Sequence, residues 1–106
     1  MISEFDARQL RKMKLQLAAF RRGELGLGGF IGDMDFLLNA IEEIPLDWKQ
    51  RVHEFVATLE EVYAIGLDLG HTEVDEQGKT FIAEATQGIQ RCLEEIIIPT
   101  RVSRSG

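Results

Sequence analysis

The 106-residue chain contains one cysteine, Cys92, so no disulfide can form within it, and a reducing compartment is expected. It has two prolines, Pro45 and Pro99, which leaves long stretches free to be helical. It has two histidines, His53 and His71, and neither stands in a metal-binding spacing such as H-E-x-x-H. No apolar run approaches the roughly 20 residues needed to cross a bilayer. The first residues, Met1-Ile2-Ser3-Glu4-Phe5-Asp6, carry acids where a secretory leader would be basic and then apolar. A cytoplasmic protein without a membrane partner is therefore expected. Strand signals are equally scarce: Ile96-Ile97-Ile98 is the one candidate, and it continues a helical pattern.

What is present is ordinary for a globular domain. Apolar residues make up 44% and charged residues 28%, too much apolar content for a disordered chain. Eighteen acidic residues outnumber 12 basic ones, for a formal net charge of -6. A phosphate backbone is a poor match for such a surface, and a basic protein is a better one.

Four helices account for the pattern. Ser3 is placed to cap the first, over residues 4–22, with Asp6 as the acid of a capping box. Phe5, Leu10, Met13, Leu17 and Phe20 form its apolar stripe, and Gly23 ends it. The glycine-rich stretch 23–29 is expected to be a flexible connection. A second helix over 29–43 carries Phe30, Ile31, Met34, Leu37, Leu38 and Ile41. Glu42 and Glu43 would lie at its C-terminal end, the unfavourable sign for the helix dipole. Pro45 breaks this element, and Asp47 can cap a third helix over 48–68. Its stripe is Trp48, Val52, Phe55, Leu59, Val62, Gly66 and Leu69, widened by Tyr63 and Ile65. After a polar connection over 70–79, Thr80 can cap a fourth helix over 81–97. That helix carries Ile82, Ala85, Ile89, Cys92, Leu93, Ile96 and Ile97. Short connections between four amphipathic helices imply an all-α, four-helix antiparallel bundle-like single domain over 1–98, with a flexible C-terminal tail over 99–106.

Catalytic chemistry finds little support. His53 and His71 are expected at the surface, and Cys92, inside an apolar stripe, behaves as a small hydrophobe. Adjacent acids such as Glu42/Glu43, Glu60/Glu61 and Glu94/Glu95 do not share a helix face. No E-x-x-H element exists, and Asp33-Met34-Asp35 lacks the rest of a calcium loop. Gly26-x-Gly28-Gly29-x-x-Gly32 follows a helix rather than a strand, so it is not a dinucleotide loop. No catalytic, cofactor or metal site is expected, and the chain is not expected to be an enzyme.

Charge is distributed unevenly. Between Asp33 and Glu76 stand 12 acidic residues against two basic ones, Lys49 and Arg51. Residues 1–24 hold six basic against three acidic side chains. If the second and third helices lie side by side, Asp33, Asp35, Glu42, Glu43, Glu54, Glu60, Glu61 and Asp68 form the candidate partner-binding surface. It would select a basic protein and speed the encounter.

Phe20-Arg21-Arg22-Gly23-Glu24 comes first, and Phe30-Ile31-x-x-Met34-x-x-Leu37-Leu38 follows. Asp47-Trp48 leads to Phe55 and on to Leu59-Glu60-Glu61-Val62-Tyr63-Ala64. Taken together over roughly residues 10–95, this pattern resembles small helical immunity proteins of bacterial polymorphic-toxin and contact-dependent growth inhibition systems. The resemblance implies a cytoplasmic inhibitor that binds one cognate toxin domain and covers its active site. Many such toxins are nucleases with basic clefts, for which an acidic inhibitor would mimic phosphate charge. Trp48, Phe55 and Tyr63 would belong to the scaffold rather than to the contact set.

Two other classes compete. A homo-oligomeric helical adaptor or regulatory subunit would dimerise through an exposed stripe such as Trp48/Val52/Phe55/Leu59/Val62 with Tyr63 and Ile65, and a homodimer is open in either reading. A nucleic-acid module would use Arg8, Arg11 and Lys12 of the first helix, but no aromatic residues are interleaved with them, so direct nucleic-acid binding is disfavoured.

Overall fold

The computed structural model describes residues 2–68 and 75–96, with backbone only at 67 and 68. Four helices, α1 (Glu4–Arg21), α2 (Leu27–Ala40), α3 (Leu46–Asp68) and α4 (Glu76–Glu95), make a four-helix bundle, and the described residues include no strand. Each helix packs on the next, and α1 closes the ring against α4. Successive helices run antiparallel. Gln16 meets Asp33 while Phe20 stacks on Phe30, with ring centroids 4.6 Å apart. Lys49 reaches back to Ile41 while Tyr63 lies against Gly28, and Trp48 meets Cys92 while Phe55 lies against Gly88.

Helix α1 begins as its sequence indicates: the Asp6 backbone N–H donates to Ser3 Oγ at 3.1 Å. It ends in a Schellman turn. Gly23 takes φ +78°, its N–H donates to the Phe20 carbonyl, and the Glu24 N–H donates to the Ala19 carbonyl.

The expected boundaries of the other helices need correction, and each shift has a local cause. Helix α2 starts at Leu27, two residues before the expected position, so Gly28 lies inside it rather than in a flexible connection. Glycine costs a helix about 1 kcal/mol relative to alanine. At Gly28 the missing side chain admits Tyr63 of α3, whose hydroxyl lies 2.9 Å from where a Cβ would be. Helix α2 also stops at Ala40, before Glu42 and Glu43, so these acids do not burden its C-terminal dipole. The Asp6 carboxylate accepts from the Glu42 N–H at 3.0 Å and the Glu43 N–H at 2.7 Å. Lys49 Nζ donates to the Ile41 carbonyl at 2.8 Å. Asp6 is thus no capping-box acid. It is fully buried and holds the bend between α2 and α3.

Helix α3 starts at Leu46, with the Pro45 carbonyl accepting from the Trp48 and Lys49 N–H groups. Asp47 stands in its first turn rather than at its cap. Helix α4 starts at Glu76, five residues before the expected position, because the Asp75 carboxylate accepts from the Gly78 N–H at 2.7 Å. The Thr80 hydroxyl, expected as that cap, instead donates to the Glu76 carbonyl inside the helix. Leu69, His71, Ile97 and the 99–106 tail lie outside the described residues.

The core follows the expected stripes closely on α2 and α4. Phe30, Ile31, Met34, Leu37 and Leu38 face Ala85, Ile89, Cys92 and Leu93 across one continuous interior. On α3 the buried line is Trp48, Val52, Val56 and Leu59, with Phe55 half-buried at its edge. On α1, Ala7 is buried and Phe5 is not. Trp48 Nε1 donates to the Cys92 carbonyl at 2.8 Å, which satisfies the buried indole.

Candidate protein-binding surface

The bundle separates the candidate acids into three places. Asp33 and Asp35 are half-buried on opposite flanks of α2, since two residues turn a helix by about 200°. Asp33 turns toward α1 and accepts from Gln16 Nε2 at 2.5 Å. Glu42 and Glu43 are exposed on the bend, their backbone held by Asp6. Glu54, Glu60 and Glu61 are exposed on α3. The side chain of Asp68 lies outside the described residues.

On α3 the spacing sets the geometry. Glu54 and Glu61 are seven residues apart, two helical turns, and so share one face. Asp47 lies seven residues before Glu54, is exposed as well, and extends the row toward the bend. Asp68 occupies the next heptad position of the same helix. Glu60 stands about 100° round the helix from Glu61 and belongs to a different flank. Consecutive row positions are about 10 Å apart along the axis at 1.5 Å per residue. Ile65, 55% exposed, lies one turn beyond Glu61 on the same face and adds an apolar contact point. Asp47 was legible only as a cap, yet its heptad relation to Glu54, Glu61 and Asp68 can be read from the sequence.

The two cations of this segment are bonded elsewhere, although Arg51, one turn beyond Asp47, feels its charge. Arg51 donates through both terminal nitrogens to the Glu95 carboxylate of α4, each at 2.8 Å. The guanidinium holds the Glu95 carboxyl below the usual carboxylate range, and the carboxylate raises Arg51 in return. Lys49 is held on the Ile41 carbonyl. Among the described residues, Glu42, Glu43, Asp47, Glu54, Glu60 and Glu61 stand in no ion pair. Carboxylates without partners at a surface are available to an incoming cation.

The cations cluster elsewhere. Arg8, Lys12 and Lys14 are exposed on α1, Arg11 pairs with Glu4, and Arg22 pairs with Glu24. Arg21 donates to Gln90 across the α1–α4 seam. In the ring order α1–α2–α3–α4, helices α1 and α3 are diagonal neighbours. Their outer faces therefore point away from each other, positive at one corner and negative at the opposite one.

Groups able to do chemistry are placed differently. Cys92 is buried, and burial pushes its thiol up, away from the thiolate form. His53 is exposed on α3. Among the described residues, no three His, Cys, Asp or Glu side chains converge as a metal site would need. No described helix is long and apolar enough to cross a membrane.

No family model, curated protein or solved structure matches this chain.

Proposed function

We propose that this chain is a cytoplasmic immunity protein. It binds a cognate toxin domain, a basic nuclease, and neutralises it by covering its active site. The observation that carries the reading is the Asp47–Glu54–Glu61 row on α3, exposed and without ion pairs on the outer face of a rigid helix. A basic cleft built for a phosphate backbone meets regularly spaced anions there, and the bundle behind them excludes substrate. Ile65 supplies an apolar contact within the charged row, as a few buried anchors commonly carry most of the affinity of such interfaces. The acids around it govern the rate and selectivity of encounter.

The test is a tagged pull-down from the native cell with sizing of the complex, followed by a nuclease assay on the recovered protein. The reading expects one basic protein at a fixed ratio, with its nuclease activity suppressed until the chain is removed. Recovery of the chain alone, or of a partner whose activity the chain leaves untouched, would overturn it.

A further inference from the structure

The outer face of the α1–α2 layer is a second surface, unlike the acidic row. Every exposed residue of α2, namely Gly29, Gly32, Phe36 and Asn39, is uncharged. Their spacing of three, four and three residues sets them in one line along the helix. Phe36 is 73% exposed, and Leu15 of α1 is 67% exposed. These two large apolar side chains line one groove of about 280 Å³ between the helices, with Lys12 and Asp33 on its walls. The adaptor reading placed self-association on the α3 stripe, of which Trp48, Val52 and Leu59 are buried in the core while Tyr63 and Ile65 stay exposed.

We infer that the α1–α2 face takes a second copy of this chain. The two copies are related by a two-fold axis parallel to the helices, so that α1 of each packs on α2 of the other. Charge selects this pairing. Helix α2 contains no Lys or Arg, and its only charges are Asp33 and Asp35, whereas α1 presents Arg8 and Lys12. Packing α1 on α2 sets the cations of one copy against an uncharged helix face whose groove carries the Asp33 carboxylate. Packing α1 on α1 would set Arg8 and Lys12 against themselves. Shape agrees, because Leu15 and Phe36 share one groove and an axis parallel to the helices sets each over the other. Gly29 and Gly32 add no side chain, so the opposing helix can approach closely.

Area sets the strength. At standard helix rise and spacing the layer is roughly 25 Å long and 20 Å wide. Two such faces bury on the order of 1,000 Å² in total, near the lower bound for a specific interface, so the dimer is concentration-dependent.

Sedimentation equilibrium tests this, from about 1 µM to about 1 mM, where interfaces of this size associate. The wild-type mass should climb from the 12.0 kDa of one chain toward twice that value. Gly32→Arg should remain at 12.0 kDa throughout, because it fills the contact line and sets a cation against the cations of α1. A Cβ at Gly32 meets nothing within 4 Å, so the variant keeps its fold, which its circular dichroism and melting curve verify. Lys12→Glu should weaken association about tenfold. A wild-type mass of one chain at the highest concentration overturns the inference, as does a Gly32→Arg variant that associates like the wild type. If the wild type is monomeric and Gly32→Arg loses a heterologous partner, the face belongs to that partner and the inference falls. None of these outcomes depends on whether a toxin is bound elsewhere on the bundle.

Discussion

The ring of Phe55 in α3 fills the space in which a side chain at Gly88 of α4 would have to lie. An ideal Cβ at Gly88 falls 2.4 Å from two of its ring carbons. The two helices approach as closely as they do because one of them carries no side chain at the crossing.

Gly88→Ala is therefore expected to destabilise the bundle by about 1–3 kcal/mol, the usual cost of overpacking, despite the better helix propensity of alanine. Gly32→Ala on the open face of α2 should do the opposite and raise stability by about 0.5–1 kcal/mol. Urea unfolding of the two variants measures both. Equal shifts of the same sign would show that propensity rather than the Phe55 contact governs Gly88.

Among the described residues, the buried Asp6 carboxylate is the side chain that holds the backbone N–H groups of Glu42 and Glu43. Asp6→Ala removes two charge-assisted hydrogen bonds and should cost about 2–4 kcal/mol. Asp6→Asn, with one acceptor oxygen, should fall between. Amide exchange at residues 42 and 43 should accelerate in both variants before the core helices are affected. Unchanged protection at those amides would mean that the bend is held by its apolar contacts alone.

Glu95 gives a pH signature. Its carboxyl lies below the ordinary value when folded, so its contribution is present above the ordinary carboxylate range. That contribution is lost as pH falls through the folded value. Wild type should melt slightly above Glu95→Gln at pH 7, and the two curves should converge in strong acid. A constant gap down to acid would assign the difference to packing instead of charge.

Charge reversal on α3 separates its flanks. Glu54→Lys with Glu61→Lys should slow association with a basic partner and flatten its salt dependence, because both lie in the row. Glu60→Lys alone should have a smaller effect, since Glu60 faces about 100° away. Stopped-flow association at low and high salt is the measurement. An equal response to Glu60→Lys would place the docking surface on the other flank.

The four helices were legible because their apolar residues recur at helical spacing, and Phe30-Ile31-x-x-Met34-x-x-Leu37-Leu38 turned out buried as a unit. The errors arose where a distant residue decides a local question. Gly28 looks like a hinge until Tyr63 is placed against it, and nothing near Glu42 signals that Asp6 will hold its N–H. The start of α4 was missed for a simpler reason, because Asp75 caps one polar stretch in which Thr80 is an equally good candidate by type. Grouping all the acids failed to anticipate helix rotation, which sends Asp33 toward α1 and Glu60 off the row.

Among the described residues, the diagonal placement of α1 and α3 sets exposed cations and exposed acids at opposite corners of the bundle. A basic surface approaching from any side exerts a torque on it and turns α3 forward before contact. The same rotation sends the α1 corner to the rear. If a basic partner binds, its orientation in the encounter is expected to follow from which helices are diagonal, a property of chain order around the ring.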